Sequence, residues 1–263
     1  SKTVSRPEFR ELAPFTFFDF VTQTLILGNP SLKSARVYNA DLRYEWYPGE
    51  NQLLSASVFY KYFRDPIEQI VASSGATTRT RTFSNVAHAQ NYGIELEARY
   101  KLGFIHPALE QLTAFGNLSL IRSRLDLSKA NVPNPRRPLQ GQSPYVANVG
   151  MTLTLPQTGI ASTLVYNMVG DRIFEVGFFG YADVYERHRP VLDWQISKRI
   201  GRRLEVKLNW QDMLSPDILF YQDNEPDGKF TDKPTENAAV PNDYQIQRIK
   251  VGSTISVSAG YRL

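Results

Sequence analysis

The chain has 263 residues, a formal net charge of +4 and no cysteine, and 42% of its residues are hydrophobic. The lack of cysteine excludes a disulfide framework and thiolate chemistry, and the mixing of 30 basic with 26 acidic residues gives no patch of the kind that binds nucleic acid. No run approaches the ~20 consecutive apolar residues of a membrane-spanning helix.

The sequence alternates between apolar and polar residues with a period of two. In Tyr92–Leu102, apolar or aromatic residues alternate with Glu95, Glu97 and Arg99. Such a strand has one face toward water and the other toward an apolar phase. Nine strands of roughly 10–12 residues are predicted in this way, and a tilted strand of that length crosses a bilayer. In chain order they are Tyr38–Tyr47, Leu53–Phe63, Tyr92–Leu102, Leu112–Arg122, Tyr145–Leu155, Ile160–Gly170, Val191–Ile200, Leu204–Gln211 and Thr254–Leu263.

The connections between these strands alternate in length. Short turns are found at Pro48–Glu50, Pro156–Thr158 and Gly201–Arg202, and the connection Gly103–Glu110 is slightly longer. Long polar segments lie between them, at Arg64–Gln90, Ser123–Ser143, Asp171–Pro190 and Met213–Arg248. Outer-membrane barrels have short periplasmic turns and long extracellular loops. The alternation therefore predicts that all the short turns lie at one rim.

A soluble β-sandwich is the alternative fold for such a pattern. The predicted strands are longer than the five or six residues that are usual in soluble sheets. Aromatic residues also gather near strand ends, as at Trp46 and Tyr47 and at Tyr60, Tyr62 and Phe63, which is typical of the interfacial girdle of a membrane barrel. We therefore predict an all-β fold, an antiparallel transmembrane β-barrel.

Five segments resemble the barrels of TonB-dependent outer-membrane receptors. They occur in the order expected for that family and extend over nearly the whole chain: Ser5–Phe15, Gly28–Lys33 (GNPSLK), Asn91–Glu97 (NYGIELE), Arg137–Tyr145 and Gly260–Leu263. One departure is the final residue, Leu263, where such barrels usually end in an aromatic residue; Tyr261 is the nearest aromatic.

The resemblance implies a barrel of about 22 strands around an N-terminal plug. Residues 1–263 would form part of one transmembrane barrel domain, the C-terminal portion with about 9–11 strands, without the plug. Lipid does not tolerate open sheet edges, so further strands are expected. In a small closed barrel, the alternative, Phe15–Leu27 would pair with Gly252–Leu263.

The resemblance implies energised uptake of a ligand, with this chain supplying the barrel wall and extracellular loops and with no enzymatic activity or cofactor. A passive porin, a barrel enzyme and a scaffold in an envelope assembly are the alternatives. The expected partners are outer-membrane lipid, the TonB energy-coupling complex through an N-terminal part outside this sequence, and an envelope or surface lipoprotein, but no nucleic acid. The expected location is the bacterial outer membrane.

The candidate ligand-binding residues are aromatics in the long loops. Aromatic side chains in such loops either line a vestibule for the ligand or pack the loops together. They are Phe178, Phe179, Tyr181, Phe220 and Tyr221. No catalytic residue is predicted. No metal site is predicted either, although Asp223, Glu225 and Asp227 form a weak calcium candidate, with oxygen ligands at alternate positions before Gly228. The three histidines, His88, His106 and His188, lack a second ligand at metal-site spacing.

Overall fold

The computed structural model describes residues 1–20, 24–75, 78–127, 135–177, 182–224 and 243–261. These ranges contain β-strands, one short helix α1 (Phe9–Leu12) and two 3-10 helices at Leu102–Phe104 and Pro107–Leu109. None of the helices in these ranges is long and apolar enough to cross a membrane. The strands are β1 (Lys2–Ser5), β2 (Thr16–Asp19), β3 (Thr24–Leu27), β4 (Ala35–Trp46), β5 (Leu53–Arg64), β6 (Ile67–Gly75), β7 (Thr78–Asn85), β8 (His88–Lys101), β9 (Leu112–Asp126), β10 (Arg136–Arg137), β11 (Tyr145–Leu155), β12 (Ile160–Val169), β13 (Arg172–Glu175), β14 (Val184–Glu186), β15 (Arg189–Ile200), β16 (Leu204–Gln211), β17 (Ile218–Asp223), β18 (Asp243–Ile249) and β19 (Thr254–Tyr261).

The main sheet has 11 strands in the order β1-β4-β5-β8-β9-β11-β12-β15-β16-β19, with β10 added to β9. All nine strands predicted from the sequence belong to it, as antiparallel neighbours in chain order. The connections β4–β5, β8–β9, β11–β12 and β15–β16 consequently lie at the same rim. The predictions of strand order and of a single rim for the short turns are confirmed.

The long segments contain strands that the alternation did not reveal. The β6–β7 hairpin joins β3 and β2 in one four-stranded sheet, and β13, β14, β17 and β18 form another. In the chain, β13 follows β12, β14 precedes β15, β17 follows β16 and β18 precedes β19. The order β13-β14-β17-β18 in the second of these sheets therefore matches the order β12-β15-β16-β19 in the main sheet. Both sheets lie at the rim opposite the short turns. We call them the extracellular cap.

The segment Phe15–Leu27 does not close the barrel with the last strand. Its two strands, β2 and β3, pair with each other, and β3 pairs with β7 in parallel. Within the described ranges, β1 pairs with β4 alone and β19 with β16 alone. The small closed barrel is therefore wrong for this chain, and the barrel is only partial.

Strand register gives the main sheet one apolar and one polar face. The apolar face carries, for example, Leu42, Val58, Ile94 and Leu120, which are aligned across four strands. All four side chains are exposed, as lipid-facing side chains are when lipid is absent. The polar face carries Asp41, Ser57, Glu95 and Ser119 on the same strands. We assign the apolar face to lipid and the polar face to the lumen.

Candidate functional site

The lumen face is lined by a network of polar side chains. Arg43 on β4 contacts Glu45 at 2.6 Å and reaches past β5 to Glu97 on β8 at 2.8 Å. Asn148 donates to Asn117 at 2.6 Å, and Thr152 and Thr163 are 3.1 Å apart. All these side chains are exposed or half-buried, so the wall can surround a hydrated lumen.

Two glycines on the lumen face are covered by aromatic rings. Gly93 is the register partner of Phe59, and Gly150 is the partner of Phe115. A Cβ at Gly93 would lie 2.3 Å from the Leu120 carbonyl oxygen and 2.9 Å from the Phe59 ring, and one at Gly150 would lie 2.5 Å from the Phe115 ring. Both positions therefore need a residue without a side chain. The pairing of a glycine with an aromatic ring across two strands also supports strand register. Gly93 belongs to the NYGIELE segment.

Buried ion pairs hold the extracellular cap together. Arg137, next to β9, contacts Glu68 on β6 at 3.1 Å, and the Arg137 side chain has no exposed surface. A second buried pair joins Arg81 on β7 to Glu175 on β13. Burial raises the pKa of the Glu68 carboxyl, and the attraction of Arg137 opposes that rise. The pairs connect the two small sheets and β10.

A small apolar cluster supports the cap beneath these pairs. Ala89, Leu125 and Leu127 are buried, and Phe63, Val86 and Leu139 pack against them. The Leu139 amide donates to Ser123 Oγ at 3.0 Å, and Gln140 Nε2 donates to the Phe174 carbonyl at 2.8 Å. The segment from Pro138 to Gln142 is thus fixed across the upper ends of β8 and β9. The sequence did not predict this cluster, since each residue type is common in any strand.

Two of the predicted ligand-contacting aromatics lie inside the cap. Phe220 and Tyr221 are each 6% exposed. Phe220 packs against Phe174 with ring centroids 4.5 Å apart, and the Tyr221 hydroxyl donates to Gln245 at 3.1 Å. In this arrangement both side chains pack the sheet that contains β17. Phe178, Phe179 and Tyr181 lie outside the described residues, and ligand contact by the five aromatics stays a prediction.

The calcium candidate is only partly within the described ranges. Asp223 is buried and is the register partner of Asp243, which is also buried. Glu225 and Asp227 lie outside the described residues. Among the residues that the structure does describe, no group of three or more His, Cys, Asp or Glu side chains has a metal-binding arrangement. Calcium binding by Asp223, Glu225 and Asp227 stays a weak prediction.

Each of the three histidines makes a local contact of its own. His106 accepts from the Ala108 amide at 3.2 Å in a short turn, and His188 Nδ1 lies 3.0 Å from Asp171. His88 stacks on the Tyr62 ring with centroids 6.2 Å apart.

A cavity of about 1010 Å³ lies beside the upper end of β9, where β11 is shorter than its neighbour. Five arginines and three aspartates line it together with Tyr185: Arg122, Arg124, Arg136, Arg137, Arg172, Asp126, Asp171 and Asp223. Burial and the charges of Asp183 and Asp223 raise the pKa of Tyr185 to about 12, so its hydroxyl stays protonated and can donate. The surplus of guanidinium groups suits the cavity to anionic groups.

Comparisons with known proteins agree with this architecture. A family model described as "TonB dependent receptor-like, beta-barrel" matches residues 1–211. No curated protein matches the sequence. The chain is similar in structure to a mutant ferric enterobactin receptor (PfeA) of Pseudomonas aeruginosa in complex with enterobactin, with a TM-score of 0.59 and 14% identity over 82% of this chain and 32% of that one.

Two further solved structures are similar. The copper transporter OprC has a TM-score of 0.60 and 17% identity over 82% of this chain and 31% of its own. The siderophore receptor PirA of Pseudomonas aeruginosa has a TM-score of 0.58 and 12% identity over 100% of this chain and 38% of its own. The chain thus spans about a third of the length of the structures it matches, and identities this low support the fold alone.

The family model covers most of the chain, and the strand order, the short turns at one rim and the two-faced wall are those of an outer-membrane barrel. Receptors of this family are transporters of the bacterial outer membrane rather than enzymes. The 263-residue chain belongs to the TonB-dependent receptor family and forms part of its β-barrel.

Proposed function

We propose that the protein is a receptor for energised, TonB-dependent uptake of an external ligand, and that this chain supplies part of the barrel wall and the extracellular loops. The observation that carries the proposal is the polar lumen face on a barrel wall of this family, with Arg43, Glu45 and Glu97 as its charged network. A hydrated, charged inner face is what a polar ligand needs for passage.

The extracellular cap supports the receptor function. Its strands are tied by buried ion pairs rather than left as loose loops, so a ligand would meet a preorganised surface, which lowers the entropy cost of binding. The arginine-lined cavity beside β9 adds positive charge to this end of the wall. Ferric enterobactin and copper, named for two of the similar structures, are the first probes.

The test uses the full-length receptor gene in its host. A strain lacking the gene is complemented with the gene, with the empty vector, or with the gene in a tonB-deleted background. Accumulation of ⁵⁵Fe-enterobactin and of copper is then measured. We expect accumulation of a probe that requires both the receptor and TonB. Equal uptake with and without TonB would instead indicate a passive porin.

The proposal includes two protein partners. TonB would bind a segment that lies outside this chain. An envelope or surface lipoprotein that binds the extracellular cap stays a prediction, and affinity purification of the full-length receptor from outer membranes tests it. Recovery of the receptor without a stoichiometric lipoprotein would remove that partner from the proposal and leave the uptake function untouched.

A further inference from the structure

The first cap sheet, in the order β2-β3-β7-β6, ends at strand β2. Among the residues that the structure describes, β2 pairs with β3 alone, so no strand of these ranges lies on its other side. An edge of this kind offers backbone N–H and C=O groups to another strand. Natural proteins cover such edges or place charged side chains along them. The side chains at this edge therefore indicate whether another strand is expected.

Strand β2 and its neighbouring residues carry exposed aromatic side chains. Phe15 is exposed, as are Phe18 and Phe20, which have 46% and 84% of their surface accessible. Phe18 and Phe20 lie on the same face, with their rings at a steep angle and the centroids 5.1 Å apart. On the opposite face, Phe17 is half-buried and its register partner Ile26 is buried. An exposed edge with large aromatic side chains is suited to pairing with a further strand.

Cap strands and wall strands are connected in a regular way. Four wall strands that run from the cap to the short turns each come directly after a cap strand: β3 precedes β4, β7 precedes β8, β14 precedes β15 and β18 precedes β19. At the wall hairpin β15–β16, the cap strands above its two arms, β14 and β17, pair with each other in antiparallel orientation. At this hairpin, pairing in the wall thus continues upward as pairing in the cap.

Strands β1 and β2 correspond to β16 and β17 of that hairpin. β1 runs toward the cap, as β16 does, and β2 follows it after α1. The described wall ends at β1, and lipid does not tolerate an open edge, so a wall strand outside this chain is expected beside β1. That strand runs antiparallel to β1 and hence away from the cap, because neighbouring wall strands alternate in direction. The segment that leads into it therefore lies beside β2, in the position that β14 has beside β17.

We propose that β2 binds, by antiparallel strand addition, the extracellular segment that directly precedes the wall strand next to β1. The first cap sheet then grows from four strands to five in the full-length receptor. Backbone hydrogen bonds to the edge of β2 provide the pairing, and apolar side chains at alternate positions of the segment cover Phe18 and Phe20. This chain covers 32% of the length of the similar PfeA structure, so the fold includes more chain than residues 1–263.

The test uses the full-length receptor in its outer membrane, with the photoreactive amino acid p-benzoylphenylalanine in place of Phe18. Irradiation links this side chain to a neighbouring group, and mass spectrometry of the digested protein identifies the linked peptide. We expect a link to the segment of the same receptor that directly precedes the wall strand next to β1. The control carries p-benzoylphenylalanine at Phe104, which is 71% exposed at the rim of the short turns, and should give no link to that segment. Links from position 18 only to residues 1–263, or to a second protein, would overturn the proposal.

Hydrogen exchange of the β2 amides in the unmodified full-length receptor gives an independent measurement. In an edge strand every second amide points away from the sheet and exchanges quickly, whereas a strand with a neighbour on each side protects all its amides. We expect all the amides from Thr16 to Asp19 to exchange at least about 100-fold more slowly than in an unfolded peptide. Fast exchange at alternate residues would mean that the edge of β2 is open, and this result would overturn the proposal even if no crosslink formed.

Discussion

At the scale of single residues, the barrel wall depends on where each side chain points. In a strand, neighbouring residues face opposite sides, so a charge is harmless at one position and costly at the next. Leu96 is exposed on the lipid face, and Glu95 lies on the lumen face of the same strand. Leu96 and Glu95 therefore provide a direct test of the facing predicted for β8.

We expect Leu96→Arg to impair assembly of the full-length barrel far more than Glu95→Arg. An arginine on the lipid face near the bilayer midplane costs about 2–4 kcal/mol, whereas one in a hydrated lumen costs little. The measurement is the folded fraction of each variant in lipid vesicles, read from heat-dependent gel migration. Similar folded fractions for the two variants would mean that the assigned faces are wrong.

The second prediction at the scale of single residues concerns Gly93. We expect Gly93→Ala to destabilise the barrel by about 1–3 kcal/mol, because its Cβ would collide with the Leu120 carbonyl oxygen and the Phe59 ring. The urea dependence of unfolding in vesicles measures this loss. Gly49→Ala is the control, since a Cβ there meets only the flexible Gln52 side chain, at 3.2 Å. If the urea midpoint of Gly93→Ala equalled that of the parent protein, the Phe59 ring would be able to move aside.

At the scale of elements, a buried ion pair joins the extracellular cap to the wall. The hydrogen bond between Arg137 and Glu68 connects residues 69 positions apart, and both side chains are almost fully buried. Removing one partner of such a pair leaves the other charged group buried without its counterion. The cap should therefore respond to a single substitution as a unit.

We expect Arg137→Met to destabilise the packing of β6 and β7 against β10 and β9 by about 3–5 kcal/mol. Hydrogen exchange of the β6 and β7 amides in the full-length protein measures this effect. Arg43→Met, which removes two exposed ion pairs in the wall, is the matched control and should leave those amides protected. Unchanged exchange in Arg137→Met would show that apolar packing alone holds the hairpin.

At the scale of the whole molecule, the described wall is an open sheet with β1 and β19 at its two ends. Each unsatisfied backbone group in hydrocarbon costs several kcal/mol, so we expect both edges to pair with strands outside this chain. These 263 residues contain no cysteine and so add no background to disulfide trapping.

We expect Thr3→Cys/Ser256→Cys, one residue on each edge strand, to form no disulfide in the full-length receptor in membranes. Lys207→Cys/Ser258→Cys is the positive control, because these residues are register partners on β16 and β19. Gel mobility after mild oxidation and protease cleavage reports the bond. Efficient trapping of the Thr3–Ser256 pair would mean that β1 and β19 meet and that the barrel closes within this chain.

The amino-acid sequence by itself determined the nine wall strands, their order, the rim of the short turns and the family. These features follow from local alternation, because each wall residue faces either lipid or water, and from turn length. The cap strands were missed because they pair within the cap, away from the lipid that makes a wall strand alternate. Only the tertiary structure decided that Phe15–Leu27 joins the cap, that Arg137 meets Glu68, and that Phe220 and Tyr221 pack inside a sheet. Those contacts join residues distant in sequence, and local patterns carry no information about such partners.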